Sequence, residues 1–150
     1  HGTAAFASDH AIDFVPVGDG RRTAPVRLAS LFLPEPPQRF PGFGRSVLAP
    51  VGGVVVAADD EQEDHAAHRG LPSVAYALTQ QRRAALGWAA LAGNHLLIRT
   101  DPGVVVALCH LQRRSLLVRV GDTVRVGQQV GRCGNSGNST EPHLHVQAID

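Results

Sequence analysis

From Gly93 onward the chain never sustains an apolar run long enough for a helix of ordinary length. Short runs rich in Val, Leu and Ile alternate with Gly, Asp and Pro breaks: NHLLIRT at 94–100, DPG at 101–103, VVVALCHL at 104–111, LLVRV at 116–120, then GD, TVRV, G and QQVGRC. Branched aliphatic residues suit a pleated, half-buried surface, and the breaks are turn chemistry. An Asp-Pro-Gly between two such runs marks a hairpin. This half is therefore expected to be short antiparallel strands, making the chain mostly β.

The last run carries the densest chemistry. Gly134–Gln147 reads GNSGNSTEPHLHVQ. If Leu144 and Val146 lie on a strand, His143 and His145 project from the same face, because side chains alternate. Two imidazoles side by side suit a metal ligand next to a proton-transferring partner. The loop before them is rich in Gly and Asn, which accept the backbone angles of sharp bends.

The chain has 150 residues, enough for one domain, and its 43% hydrophobic share supports a packed core. A net charge of +1, with no basic block and few aromatics, argues against nucleic acid as a partner. No apolar stretch approaches membrane-spanning length. Every basic residue is arginine and there is no lysine, a bias that hints at a GC-rich bacterial genome. Cys109 and Cys133 are expected to pair if the protein is exported and to stay reduced in the cytosol.

In the first half, Ala11–Val15 reads as a short strand holding Asp13. A carboxylate inside an apolar strand needs a partner, a metal or an edge position. Residues 21–46 are rich in Arg and Pro and read as a surface excursion, since Pro prevents a regular helix or central strand. Ser46–Ala58 reads as strand, turn, strand. The acidic run DDEQEDHAAHRG at 59–70 contains His65 and His68 and reads as a solvated loop. Pro72–Ala92 has helical spacing, with Ser73 as a candidate cap and Gly93 as its stop. His110 lies near the end of the second hairpin strand. With Asp13, His143 and His145 it completes a set of groups suited to catalytic zinc, which takes three protein ligands and one water. Zinc lowers that water's pKa and polarises a carbonyl, and neighbouring imidazoles can move the protons.

At these segments the sequence resembles the lysostaphin/LytM-like zinc metalloendopeptidases that cut peptidoglycan peptides. The matching stretches are AIDF at 11–14, VLAPVGGVVV at 47–56, GNHLLI at 93–98, VALCHL at 106–111 and VRVGDTVRVGQQVGRCGNSGNSTEPHLHVQ at 118–147. The resemblance implies one groove-shaped antiparallel β domain of barrel-sandwich type over residues 1–150, with one inserted helix and insertions at 15–45 and 59–92. It also implies a Zn2+ cofactor, Asp13 and His145 as ligands, and His143 with His110 as the catalytic pair. The third ligand stays open among His1, His10 and Asp9. His1 is the first choice, because His10 has the wrong strand parity for Asp13 and Asp9 would add negative charge. The implied substrate is a cell-wall peptide, met outside the bacterial cell or in its envelope. The alternative is an inactive relative that binds cell wall or activates a hydrolase.

Two rivals fall on sequence grounds. Lipoyl- or biotinyl-type carriers show similar Gly-Asp-x-Val runs but attach their cofactor to a lysine, and this chain has none. A Cys109–His110 catalytic pair is not expected, because neighbours on a strand face opposite sides.

Overall fold

The computed structural model describes residues 11–18, 22–24, 28–101 and 103–149. His1, Asp9 and His10 lie outside them. The chain forms β1 (Ala11–Phe14), β2 (Ser46–Leu48), β3 (Gly53–Asp59), α1 (Leu71–Leu78), α2 (Gln80–Ala85), α3 (Trp88–Ala92), β4 (His95–Arg99), β5 (Val105–Cys109), β6 (Thr123–Val124), β7 (Gln129–Arg132) and β8 (Leu144–Ile149). The large sheet has the order β1-β8-β5-β4-β3-β6, and β2 pairs with β7 in a small second sheet. Every pairing is antiparallel. The mostly β expectation holds, and β4–β5 is the hairpin that the Asp101–Gly103 turn announces.

Strand parity divides the large sheet into two working faces. On one face Val55, Leu96, Ile98 and Leu108 pack with Val47 and Val130 of the small sheet and with Leu111, Val118 and Val124. This is the main core, and a fully buried aliphatic side chain contributes about 1.5–3 kcal/mol. On the other face Ala107 and Cys109 pack with Ala92, Trp88 and Leu97. The helices thus cover only part of that second face, and the remainder is open.

Ser46–Ala58 is strand, turn, strand as expected, but the two strands do not pair with each other. β2 and β3 part company at the turn and join different sheets. β3 instead lies against β4, where a Cβ on Gly53 would sit 2.2 Å from the Arg99 carbonyl oxygen. Only glycine allows that approach. Leu116–Val120, expected as a strand, forms none, although Leu117 N–H still bonds the Val130 carbonyl.

The helical stretch is a single bent path in three pieces, broken at Thr79 and at Gly87, whose φ is +93°. Ser73 does not cap it. Gly70 holds the N-cap position, and Ser73 Oγ donates to the Gly70 carbonyl. The acidic run is not simply solvated either. Asp64 accepts backbone N–H groups from Arg113 (3.0 Å) and Asn135 (2.7 Å), and Asp60 accepts from Leu116. The Pro-rich excursion docks on the same run. Glu35, 4% exposed, pairs with Arg69, and Phe40 and Ala24 bury Ala67 between them.

The cysteines are both free and buried. Cys109 belongs to the helix-covered face and Cys133 to the main core, so the sheet separates them. The pairing expected for an exported protein is absent.

Candidate metal centre

The cleft opens on the uncovered part of the second face. β8 is central there, flanked by β1 and β5. His145 stands directly opposite Asp13 on one side and Cys109 on the other. Residues in register across antiparallel strands share a face, so the three form one row across the cleft floor. Gln147, two residues along β8, is on the same face, opposite Ala107. The cavity is about 640 Å³. Gln80, Ala84, Trp88 and Leu91 of the helical stretch wall it, with Asn138 and Thr140 of the Gly-rich loop.

His110 enters by a different route. β5 ends at Cys109, and His110 adopts φ +60°, a left-handed conformation costly for any residue with a Cβ. The turn breaks strand alternation, so Cys109 and His110 both line the cleft although they are neighbours. Strand parity therefore does not keep Cys109 and His110 apart; the state of the thiol does. Burial, with Asp13 adding to it, pushes the Cys109 thiol up to about 12, so it is no nucleophile at neutral pH.

Three ring nitrogens, one each from His110, His143 and His145, lie within 4.8 Å of one another. Asp13 sits on the His145 side: its Oδ1 is 2.7 Å from His145 Nδ1 and 3.7 Å from His143 Nε2. Asp13 is also half-exposed on an edge strand, so two of the three explanations offered for a carboxylate in that strand, a partner and an edge position, apply.

Hydrogen bonds fix which nitrogens face the cleft. His110 Nδ1 donates to the Ser136 carbonyl at 2.9 Å. His143 Nδ1 donates to the Glu141 carbonyl at 2.8 Å, with Ser139 Oγ 3.1 Å away. A neutral imidazole with its proton on Nδ1 bears a bare lone pair on Nε2. Both rings thus present Nε2 to the cleft. His145 is held the other way round. Its Nδ1 faces Asp13 Oδ1 at 2.7 Å, and its Nε2 lies 3.3 Å from Gln147 Oε1. With the proton on Nδ1 this is an N–H···O bond to the carboxylate; with the proton on Nε2, Nδ1 and Oδ1 are two adjacent lone-pair atoms that a cation could share. One carboxylate oxygen and one outward-held imidazole nitrogen form a donor set that suits zinc. Burial above all, then the nearby His143 and His145, holds the His110 pKa well below its usual value, so it stays neutral and basic-faced.

Sequence reasoning missed the residues that hold the rings. Ser136, Ser139 and Gln147 lie in the motif already singled out, but their partners depend on loop shape. His65 and Tyr76 were also missed: Tyr76 Oη donates to the Gly137 carbonyl at 2.8 Å, and His65 Nε2 lies 3.1 Å from the same oxygen.

A half-exposed carboxylate and three clustered imidazoles on a β floor form a cleft that could hold a metal ion. Residues 40–150 match the model of peptidase family M23, and the chain belongs to that family. The peptidoglycan DD-endopeptidase ShyC of Vibrio cholerae is 40% identical over 57 residues, 38% of this chain and 13% of that protein. An uncharacterized metalloprotease of Haemophilus influenzae is 31% identical over 122 residues, 81% of this chain and 22% of that protein. Among solved structures, lysostaphin from Staphylococcus simulans is 25% identical with a TM-score of 0.48, covering 71% of this chain and 32% of that one. The chain therefore spans less than a quarter of either curated relative. No helix among the described residues is long and apolar enough to cross a membrane.

Proposed function

We propose that the chain is a zinc-dependent endopeptidase that hydrolyses peptide bonds in peptidoglycan or a similar extracellular peptide, at the bacterial envelope or outside the cell. The observation that carries this reading is the division of labour among the imidazoles. One nitrogen is held toward a carboxylate, and two others offer bare Nε2 atoms to the same space. Asp13 Oδ1 and His145 Nδ1 are assigned as ligands, with His1 as the third. Bound zinc would polarise the scissile carbonyl and make an adjacent water more acidic. His143 Nε2 accepts a proton from that water and passes it to the leaving amine, while its Nδ1–H stays tied to Glu141. His110, neutral and buried, lies against the His143 ring at 4.7 Å between centroids and is the second proton acceptor of the pair; once protonated at Nε2 it donates a hydrogen bond to the charged substrate oxygen. The partial matches to relatives named as peptidoglycan endopeptidases support the substrate class.

Zinc analysis and turnover on purified peptidoglycan test the scheme together. His145→Ala is expected to lose zinc. His143→Ala is expected to keep zinc and lose turnover by ~10²–10⁴-fold, the range for a lost acid–base group. The reverse pattern would mean that the two roles are exchanged. His1→Ala against His10→Ala identifies the third ligand. A parent protein with substoichiometric zinc and no turnover would support the wall-binding alternative instead.

A further inference from the structure

The Gly-rich loop that feeds the cleft is gripped from outside by a residue of the helical stretch. His110 is oriented by the carbonyl of Ser136, and His143 Nδ1 lies beside the hydroxyl of Ser139. Gly137 and Asn138 lie between those two serines. Tyr76 of α1 places its phenol against this short span. Its Oη donates to the Gly137 carbonyl at 2.8 Å and accepts from the Ser139 N–H. One phenol therefore holds the backbone on both sides of Asn138.

The phenol is itself held firmly. The His68 ring stacks on Tyr76 at 4.6 Å with 18° between planes, and the Arg83 guanidinium carbon is 3.7 Å from the ring centroid. Arg83 also donates to the Tyr76 carbonyl and from Nε to Asn138 Oδ1, joining α2 to the same bend. His65 Nε2 approaches both the phenol and the Gly137 carbonyl. Burial keeps the phenol protonated far above neutrality, so it remains a donor. From inside, the loop is fixed by Asn138 N–H to the Leu91 carbonyl and by Asn94 N–H to Ser136 Oγ. The loop is thus held by α1, α2 and α3 of the helical stretch and by the segment that joins α3 to β4.

We propose that Tyr76 is a positioning residue for catalysis: by fixing the 136–139 bend it holds the orientation of His110 and His143. The proposal rests on the peptidase reading for its kinetic consequence, but not for its structural one. Tyr76 touches neither reacting atoms nor the assigned ligands. Its loss leaves zinc in place and loosens the rings that move protons.

The test is Tyr76→Phe, which keeps the stacked ring and removes only the hydroxyl. Two readouts are taken on the intact, zinc-loaded chain. The first is the proton spectrum of the imidazole Nδ1–H groups of His110 and His143, each held by a protein acceptor. In the variant both signals are expected to shift or broaden while zinc content stays the same. The second is steady-state kinetics on cell-wall peptide, with kcat expected to fall ~10-fold or more and KM to change little, as for a misplaced catalytic group. Tyr76→Leu, which also removes the ring, is expected to move both readouts further. Unmoved imidazole signals in Tyr76→Phe overturn the proposal, as does a kcat within about twofold of the parent. A parent without peptidase activity would defeat the functional reading alone, and the imidazole signals would then decide the role of Tyr76.

Discussion

Asp64 offers a sharp test of how the acidic run supports the cleft. Its carboxylate accepts the Arg113 N–H at 3.0 Å and the Asn135 N–H at 2.7 Å, joining the segment after β5 to the start of the Gly-rich loop. Asn135 is fully buried and precedes the residue that orients His110. Hydrogen bonds to a charged group contribute roughly 1.5–3 kcal/mol each. Asp64 is only partly buried, so water can recover some of that on truncation. Asp64→Ala is therefore expected to cost about 2–4 kcal/mol, taking the lower part of two such bonds. In urea unfolding that is a midpoint lower by roughly 1–2 M, with unchanged slope. Glu63 is the built-in control. It also pairs with Arg113, but its side chain is 77% exposed. Glu63→Ala is expected to cost less than about 1 kcal/mol, as for other surface ion pairs. If Asp64→Ala and Glu63→Ala shift the midpoint equally, Asp64 is no more than another surface charge.

Two further outcomes follow from burial. Leu108, fully buried at the centre of the main core, is expected to cost about 2–5 kcal/mol on truncation to Ala, measured by thermal or denaturant unfolding. The depressed pKa of His110 makes the metal-free protein acid-sensitive. Below the usual imidazole value of 6.5 the unfolded chain takes up a proton that the folded chain refuses. Stability therefore falls with pH from there downward, by up to about 1.4 kcal/mol per unit from this residue, until the folded pKa is reached. His110→Asn is expected to flatten that slope, and an unchanged slope would show that the ring is not held neutral.

The legible parts of the sequence were those governed by short-range rules. Period-two alternation placed His143 and His145 on one face, and the Asp-Pro-Gly turn placed β4 against β5. The His-Leu-His segment and its Gly-rich approach carried enough specificity for the family resemblance to point at the site. What failed were readings that depended on long-range partners. Nothing local says that β2 seeks β7 instead of β3. Nothing in DDEQEDHAAHRG says that Asp60 and Asp64 meet backbone N–H groups some fifty residues away or more. A charge run looks solvated until its acceptors find donors, and those donors lie in loops whose shape is tertiary. His65 and Tyr76 were passed over for the same reason, since their shared partner is a carbonyl of Gly137.

His110 marks the boundary between the two kinds of information. Parity counted from β5 aims it away from Cys109 and out of the cleft. The left-handed turn at φ +60° reverses that aim, and no glycine announces it. The conformation is secured from both sides, by His110 N–H to the Ala92 carbonyl and by Gly134 N–H to the His110 carbonyl. A residue with a Cβ in this region carries a strain of about 1–2 kcal/mol. Glycine would not. His110→Ala and His110→Gly both delete the ring, so the difference between them reports the backbone alone. His110→Gly is expected to be the more stable by about 1 kcal/mol, after the extra entropy that glycine gains when unfolded is subtracted. The measurement is paired denaturant unfolding of the two variants without metal. If Ala is as stable as Gly there, the backbone at 110 is not left-handed in solution. The ring would then have to reach the cleft by another path, and its bond to Ser136 would need a different origin.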